Sequence, residues 1–520
     1  MFRKILMGFV GLFLVSLFPV SLRTEGVPVG NLPNWSASGQ VTEIYDLFDV
    51  VEDIAIDPNG NIYATGSSYL EYPVWTYMAI TVKINSSGKI EWIRKVNYDG
   101  GLVLELDSSA NVYVLMSQRL VKYDPWGNEA WNVNHNCYLG YGGLYVDPSG
   151  NSYIACSSGA AKFNESGIEV WRSLYKEGDW GAVLCRLTVD PSGNVYAVGA
   201  IQGGPTARGV TVKFDSTGGV EWVADWMVPH NNPCTVVLDP AGQIIATGGG
   251  SDGALTKKYT PQGAIVWEAA SRRGDTGQGL GVDSAGNVYV EAISVLNNRF
   301  SITLIKYDPS GAEQWANFLP MENRTILYHD RNKDIMSVSP NGDTYVLGSI
   351  QEDIALAKCD TWGQVQWIQQ YNDSTYRYRV PIVTGIDPDQ NAYVAGWLVS
   401  DLDVDGFVLR YDPSGAKQRI TLIKNKSYPC GDPAVPVRAL INKVRNLNLK
   451  NGIANNLDAK LELALRALDD LNEHNDAAVC GAMDAFINAC ELQRDGALTN
   501  EEADSLIADA RNIKNCLWCQ

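Results

Sequence analysis

Between Asp57 and Gly415 one unit of sequence recurs eight times, which restricts the chain to a stacked or closed array of one supersecondary motif. Each copy opens on an apolar run into a turn such as Asp57-Pro-Asn-Gly-Asn61 and continues through an alternating stretch such as Ile62-Tyr63-Ala64. It closes on a lysine-led run, a second turn and a tryptophan. The tryptophans are Trp92, Trp131, Trp171, Trp222, Trp267, Trp315 and Trp367; the eighth copy has Arg419 in that place. Trp92 to Trp367 is 275 residues over six intervals, about 46 per unit, in the range of propeller blades.

Within a unit, β-branched and aromatic runs flank turns with proline early and glycine late, which is the pattern of a hairpin. Each unit therefore reads as four short strands, a to d. The leading aspartate accepts hydrogen bonds from turn amides, and glycine takes the left-handed position. A lone four-stranded sheet cannot bury both faces, whereas eight packed radially cover one another. The expected fold is an all-β propeller of eight four-stranded blades, with seven blades and one displaced unit as the alternative. Gln40-Val-Thr-Glu-Ile-Tyr45 reads as an orphan outer strand that completes or extends the last blade.

The a–b and c–d turns must share one face of such a ring, so the b–c and d–a connections lie on the other. Those connections vary from the short Ser117-Gln-Arg119 to the stretch between Pro320 and Asn332. Long connections on a rigid scaffold are where binding is expected. They are also rich in aromatic residues, and stacking surfaces beside amides and carboxylates suit sugars or extended peptides. The candidate ligand contacts are Trp75, Tyr138, Tyr141, Trp180, Trp226, Tyr376, Tyr378 and Trp397.

Three resemblances follow from these motifs. The frame Asp405-Gly-Phe-Val-Leu-Arg-Tyr-Asp-Pro-Ser-Gly415 resembles the bacterial SBBP β-propeller repeat, over most of Asp53 to Ile423. The Tyr-Asp-x-x-Gly-x-x-x-Trp pattern is similar to the tryptophan-docking motif of eight-bladed quinoprotein-like propellers. The tail, in Leu440-Ile-Asn-Lys-Val444, Ala485-Phe-Ile-Asn488 and Leu498-Thr-Asn-Glu-Glu-Ala503, resembles the FIMAH-type modules of secreted bacterial proteins. These resemblances imply architecture and export. Quinoprotein dehydrogenases carry an adjacent cysteine pair over the cofactor; this chain has no Cys-Cys, so quinone binding is not implied.

Met1-Phe-Arg-Lys4 before the apolar run Ile5 to Leu22 has the form of a secretory signal or an uncleaved N-terminal anchor. The organisation expected is a leader over residues 1–26, a propeller over 27–423, a linker over 424–436 and a helical, cysteine-bearing module over 437–520. Leu440, Val444 and Leu447, then Leu457, Leu461, Leu465, Leu468 and Leu471, carry the helical spacing. Five of the ten cysteines fall between Cys430 and Cys519, so the tail is expected to be disulfide-stapled outside the cell. A net charge of −18 excludes nucleic-acid binding and favours cations or neutral, hydroxyl-rich ligands.

No cofactor is expected, calcium being the one candidate ion. Asp401, Asp403 and Asp405 before Gly406, with Asp412, copy the spacing of a calcium loop, in which alternate carboxylates converge. His135, His230 and His329 fall in d–a connections, where they are expected to be solvent-exposed. The recurring Lys83, Lys122, Lys162, Lys213, Lys258, Lys306 and Lys358, with Arg410, are expected to lay their stems along the sheet with heads in solvent or on carboxylates. No H-E-x-x-H or G-x-S-x-G motif is present. The functional expectation is a secreted, periplasmic or cell-surface bacterial binding or scaffold protein that engages a glycan or protein partner through the variable connections. The alternative is a polysaccharide lyase or hydrolase on the same scaffold.

Overall fold

The computed structural model describes residues 40–45, 50–70, 76–137, 143–177, 180–201, 208–229, 233–250, 253–296, 299–322, 335–351, 353–400, 404–424, 434–447, 449–469 and 475–516. Eight antiparallel four-stranded units follow one another, at residues 50–97, 101–134, 143–174, 180–229, 233–271, 276–322, 336–371 and 378–424. They are numbered here as blades 1 to 8. Strands b and c are almost wholly buried, as in Val112–Met116 and Val195–Ile201, because each sheet is covered on both faces. Strands a touch their neighbours all the way round, including the step from blade 8 (Tyr378–Ile386) back to blade 1 (Val50–Ile56). Val51 and Ile54 of blade 1 share an apolar cluster with Val380, Ile382 and Val383 of blade 8. The ring is therefore closed, with eight blades.

The tryptophan spacing has a geometric cause. In all eight blades the c–d ladder shifts register directly after the lysine or its arginine counterpart, and that residue pairs with the tryptophan position, as Lys83 does with Trp92 and Lys213 with Trp222. Both side chains thus reach one place, the c–d turn of the next blade. The Pro125 carbonyl accepts from Trp92 Nε1 at 3.0 Å and Lys83 Nζ at 3.2 Å. The Pro261 carbonyl accepts from Trp222 at 3.1 Å and Lys213 at 3.0 Å. The Pro309 carbonyl accepts from Trp267 and Lys258, and the Thr361 carbonyl from Trp315 and Lys306. Trp131, Trp171 and Trp367 donate to the Glu165, Ser216 and Pro413 carbonyls. Lys83, Lys213, Lys258 and Lys306 are hence inter-blade clamps, and Lys83, Lys213 and Lys258 also hold carboxylates.

Each indole lies over the glycine of the turn it clamps. A Cβ at Gly127, whose φ is +82°, would come within 2.7 Å of the Trp92 ring. That glycine is needed both for the left-handed turn and for the close approach.

Blade 8 meets blade 1 through the same device with different chemistry. Arg419 donates to the Ser86 carbonyl at 3.2 Å and Arg410 to the same oxygen at 3.5 Å, while the Arg419 guanidinium lies over Gly88. Arg419 is thus the eighth clamp. Arg419→Ala is expected to cost about 1–3 kcal/mol through the loss of a charged hydrogen bond. Arg419→Trp should retain wild-type stability, because Gly88 and the Ser86 carbonyl already form an indole seat; urea denaturation checks both.

The orphan strand Gln40–Tyr45 runs parallel to strand d of blade 8, Lys417–Lys424, with Gln40 opposite Arg419 and Tyr45 opposite Lys424. It extends that blade to five strands and covers its outer edge. Among the described residues four helices follow: α1 (Ala434–Arg445), α2 (Asn451–Asp469), α3 (Asn475–Leu492) and α4 (Asn500–Cys516). Leu440, Val444, Leu457, Leu461, Leu465, Phe486 and Leu506 share one core. Thr499 and Glu502 form a reciprocal capping box at the start of α4. Among the described residues no helix is long and apolar enough to cross a membrane.

Candidate binding face

The face bearing the a–b and c–d turns is built from repeated, internally satisfied parts. In blade 8 the Asp387 carboxylate accepts from the Asn391 amide, the Asn391 side chain and the Tyr393 hydroxyl, at 2.8, 2.8 and 3.0 Å. Equivalent sets surround Asp57, Asp107, Asp147, Asp190 and Asp283. Burial, with a smaller contribution from the neighbouring aspartate, raises the pKa of the matching tyrosine hydroxyls above the ordinary value; Tyr289 is pushed up to about 12. They are donors that lock turns, not acids.

The opposite face carries the variable connections. Trp75, Tyr138 and Tyr141 lie outside the described residues, as do Asp401, Asp403, His230 and His329. Trp180 opens the inner strand of blade 4 and pairs through its backbone with Glu177. Trp226 is 1% exposed, donates from Nε1 to Thr211 Oγ1 at 2.9 Å, and has the Lys257 ammonium 5.3 Å from its ring centroid. It is a packing residue, a correction to its assignment as a stacking platform. Tyr376 is likewise buried, its hydroxyl 2.7 Å from Asp405 Oδ2. Trp397 is half-buried against the cluster joining blades 8 and 1. Among the candidates whose side chains are described, Tyr378 alone keeps an open ring, 38% exposed, with the Arg377 guanidinium 5.3 Å from its centroid. Side-chain burial depends on which neighbour covers a connection, and one chain's residue types do not carry that.

Asp405 and Asp412 do not converge. They stand at opposite ends of strand c of blade 8 (Val404–Tyr411), roughly 20 Å apart at strand rise, so they cannot ligate one ion. Asp412 belongs to a c–d turn, where it accepts from the Ser414 and Ala416 amides, the Ser414 hydroxyl and Gln418. The part of the calcium-loop spacing from Asp405 to Asp412 is a strand with an aspartate at each end. Among the described residues no group of three or more metal-ligating side chains is gathered.

His135 is fully buried, contrary to the expectation of an exposed loop residue. Nε2 donates to the Met116 carbonyl at 3.0 Å and Nδ1 accepts from the Cys137 amide at 3.1 Å, which fits one neutral tautomer. The Cys137–Cys156 disulfide ties this connection to strand b of blade 3, and Arg172 donates to the His135 carbonyl. Burial, reinforced by the Arg172 charge, lowers the imidazole pKa against the opposing pull of the Met116 carbonyl and Asp99. The unfolded chain therefore takes up this proton first, and stability falls as pH drops below about 6.5. The drop in melting temperature between pH 7 and pH 5 is expected to shrink in His135→Gln, as followed by calorimetry.

Comparison with known proteins finds one family match, confined to blade 1, and several distant likenesses to solved structures. Residues 49–69, which are the inner strand, first turn and second strand of blade 1, match the SBBP beta-propeller repeat. No curated protein matches the chain. Among solved structures it is similar to the Dos1 propeller, at 12% identity and a TM-score of 0.48 over 72% of this chain and 97% of that one. It is also similar to a virginiamycin B lyase from Staphylococcus aureus solved with quinupristin, at 10% identity and a TM-score of 0.37 over 61% and 94% of the two chains. The Pan2 WD40 domain of Neurospora crassa is similar at 9% identity and a TM-score of 0.37, over 71% and 91%.

Proposed function

We propose that this β-propeller is a secreted or cell-surface binding and scaffold protein whose b–c and d–a connections engage a glycan or protein partner. The carrying observation is the asymmetry of the two faces: every blade clamps the next through its c–d turn, while the connections that vary in length and composition leave from the other side. Tyr378 with Arg377 supplies an open aromatic–cation pair there, of the kind that dominates binding energetics. The Cys137–Cys156 disulfide and the disulfide-bonded Cys480 favour an oxidising compartment, as does the leader-like N-terminus.

The test is attachment of purified, labelled protein to the cells that produce it. Saturable attachment that weakens about tenfold or more in Arg377→Ala/Tyr378→Ala supports the reading. Attachment that is unchanged in that variant, or absent in the native protein, contradicts it.

A further inference from the structure

The turn face carries two residues that its architecture does not explain. In the c–d turn, the residue before the glycine is usually small and polar. Ser87, Thr217, Ser310 and Ser414 each donate from their hydroxyl to the aspartate or asparagine that opens the turn. In blades 2 and 7 that position is Trp126 and Trp362, which are 75% and 72% exposed. Both keep the backbone bond to the leading aspartate, at 3.0 and 2.9 Å, but neither has the hydroxyl, so a turn-closing hydrogen bond is absent and an indole is left in water. Neither ring lies in an apolar cluster of the core, nor in an aromatic pair among the described residues.

From this geometry we infer that Trp126 and Trp362 are two stacking contacts for a neutral polysaccharide on the turn face, opposite the variable connections. Each turn is fixed by its aspartate, which accepts from two backbone amides, so the indole is presented at small entropic cost. A pyranose ring offers the C–H face that an indole face attracts, and its hydroxyls need polar partners close by. Exposed Asn128 and half-buried Asp124 stand in the first turn, and exposed Gln364 and Gln366 with half-buried Asp360 in the second. The adjacent carboxylates and the net charge of −18 disfavour an anionic polymer. Blades 2 and 7 stand three steps apart round a ring of eight, so the two indoles take separate stretches of polymer, and binding gains from their linkage.

The test is native electrophoresis of the full chain through gels containing xyloglucan, galactomannan or laminarin. We expect retardation in at least one gel, several-fold weaker apparent affinity in Trp126→Ala and in Trp362→Ala, and no retardation in the double variant. Both sites are exposed, so the melting temperature should not move. Tyr378→Ala should migrate like the native chain, which separates this contact from the variable face. No retardation of the native chain in any of the three gels overturns the inference, as does a double variant retarded as strongly as native. Loss of retardation in Tyr378→Ala with none in the tryptophan variants would also overturn it while leaving the proposed function standing.

Discussion

Replacing Lys258 with methionine is expected to destabilise the propeller by about 3–5 kcal/mol, the cost of stranding one member of a buried ion pair. Lys258 Nζ lies 2.7 Å from Asp239 Oδ2, and the two side chains are 3% and 4% exposed. The reason for the size of the effect is in the sequence of blade 5. Elsewhere the outer oxygen of the turn aspartate is served by an asparagine four residues on and a tyrosine six on, as Asp387 is by Asn391 and Tyr393. After Asp239 those positions are Gln243 and Ile245. Lys258 is the partner that replaces both. The matching Lys122→Met in blade 2 should cost much less, about 1 kcal/mol, because Asp107 keeps Asn111 and Tyr113 while Lys122 stands 3.8 Å away. Urea denaturation of the two variants side by side measures the difference, and Gln243→Asn in the Lys258→Met background should recover part of it.

A second large effect is expected at the inter-blade clamp. Trp92 is 5% exposed, packs between Tyr63 and Tyr123 with ring centroids 6.1 and 6.0 Å away, and covers Gly127. Trp92→Ala removes that packing and opens a cavity between blades 1 and 2, a loss of about 3–5 kcal/mol. Trp92→Phe keeps most of the buried ring and loses the bond to the Pro125 carbonyl, which is worth about 1 kcal/mol. Equal destabilisation by the two changes would mean that the hydrogen bond, not the packing, joins the blades. Thermal and urea unfolding of both variants decide this.

The architecture was legible because it is written eight times. A turn such as Asp57 to Asn61 needs an aspartate, a left-handed glycine and an asparagine for local reasons, and local requirements repeated at one period disclose a blade. Even the orphan strand at Gln40 to Tyr45 was readable, since a strand pattern preceding the first unit has only the last blade's edge to join. The role of Arg419 was not. It broke the pattern as a residue type while keeping its function, donating to Ser86 as the tryptophans donate to their own turns.

Side-chain placement in the connections was legible least. Trp226, Tyr376 and His135 have the composition of exposed binding residues, yet Thr211, Asp405 and the Met116 carbonyl draw them inward. Those partners lie 15 to 29 residues away, outside the repeat's local logic. The same blindness operated in reverse at Trp126 and Trp362. Proximity to a turn motif concealed that the motif itself asks for a small polar residue there. The Asp405 and Asp412 pair failed for a simpler reason: seven residues of extended strand separate side chains that seven residues of loop could have brought together.

The central claim is that the chain closes into an eight-bladed ring whose last blade is completed by the strand that precedes the first. Hydrogen exchange of the amides in residues 40–45, followed by mass spectrometry alongside residues 417–424, tests it most directly. A parallel ladder on the edge of blade 8 predicts that the two segments are protected together, about a hundredfold or more slower than free chain, and that both lose protection in the same unfolding step. Exchange of residues 40–45 at the rate of unstructured peptide, with residues 417–424 still protected, would contradict it.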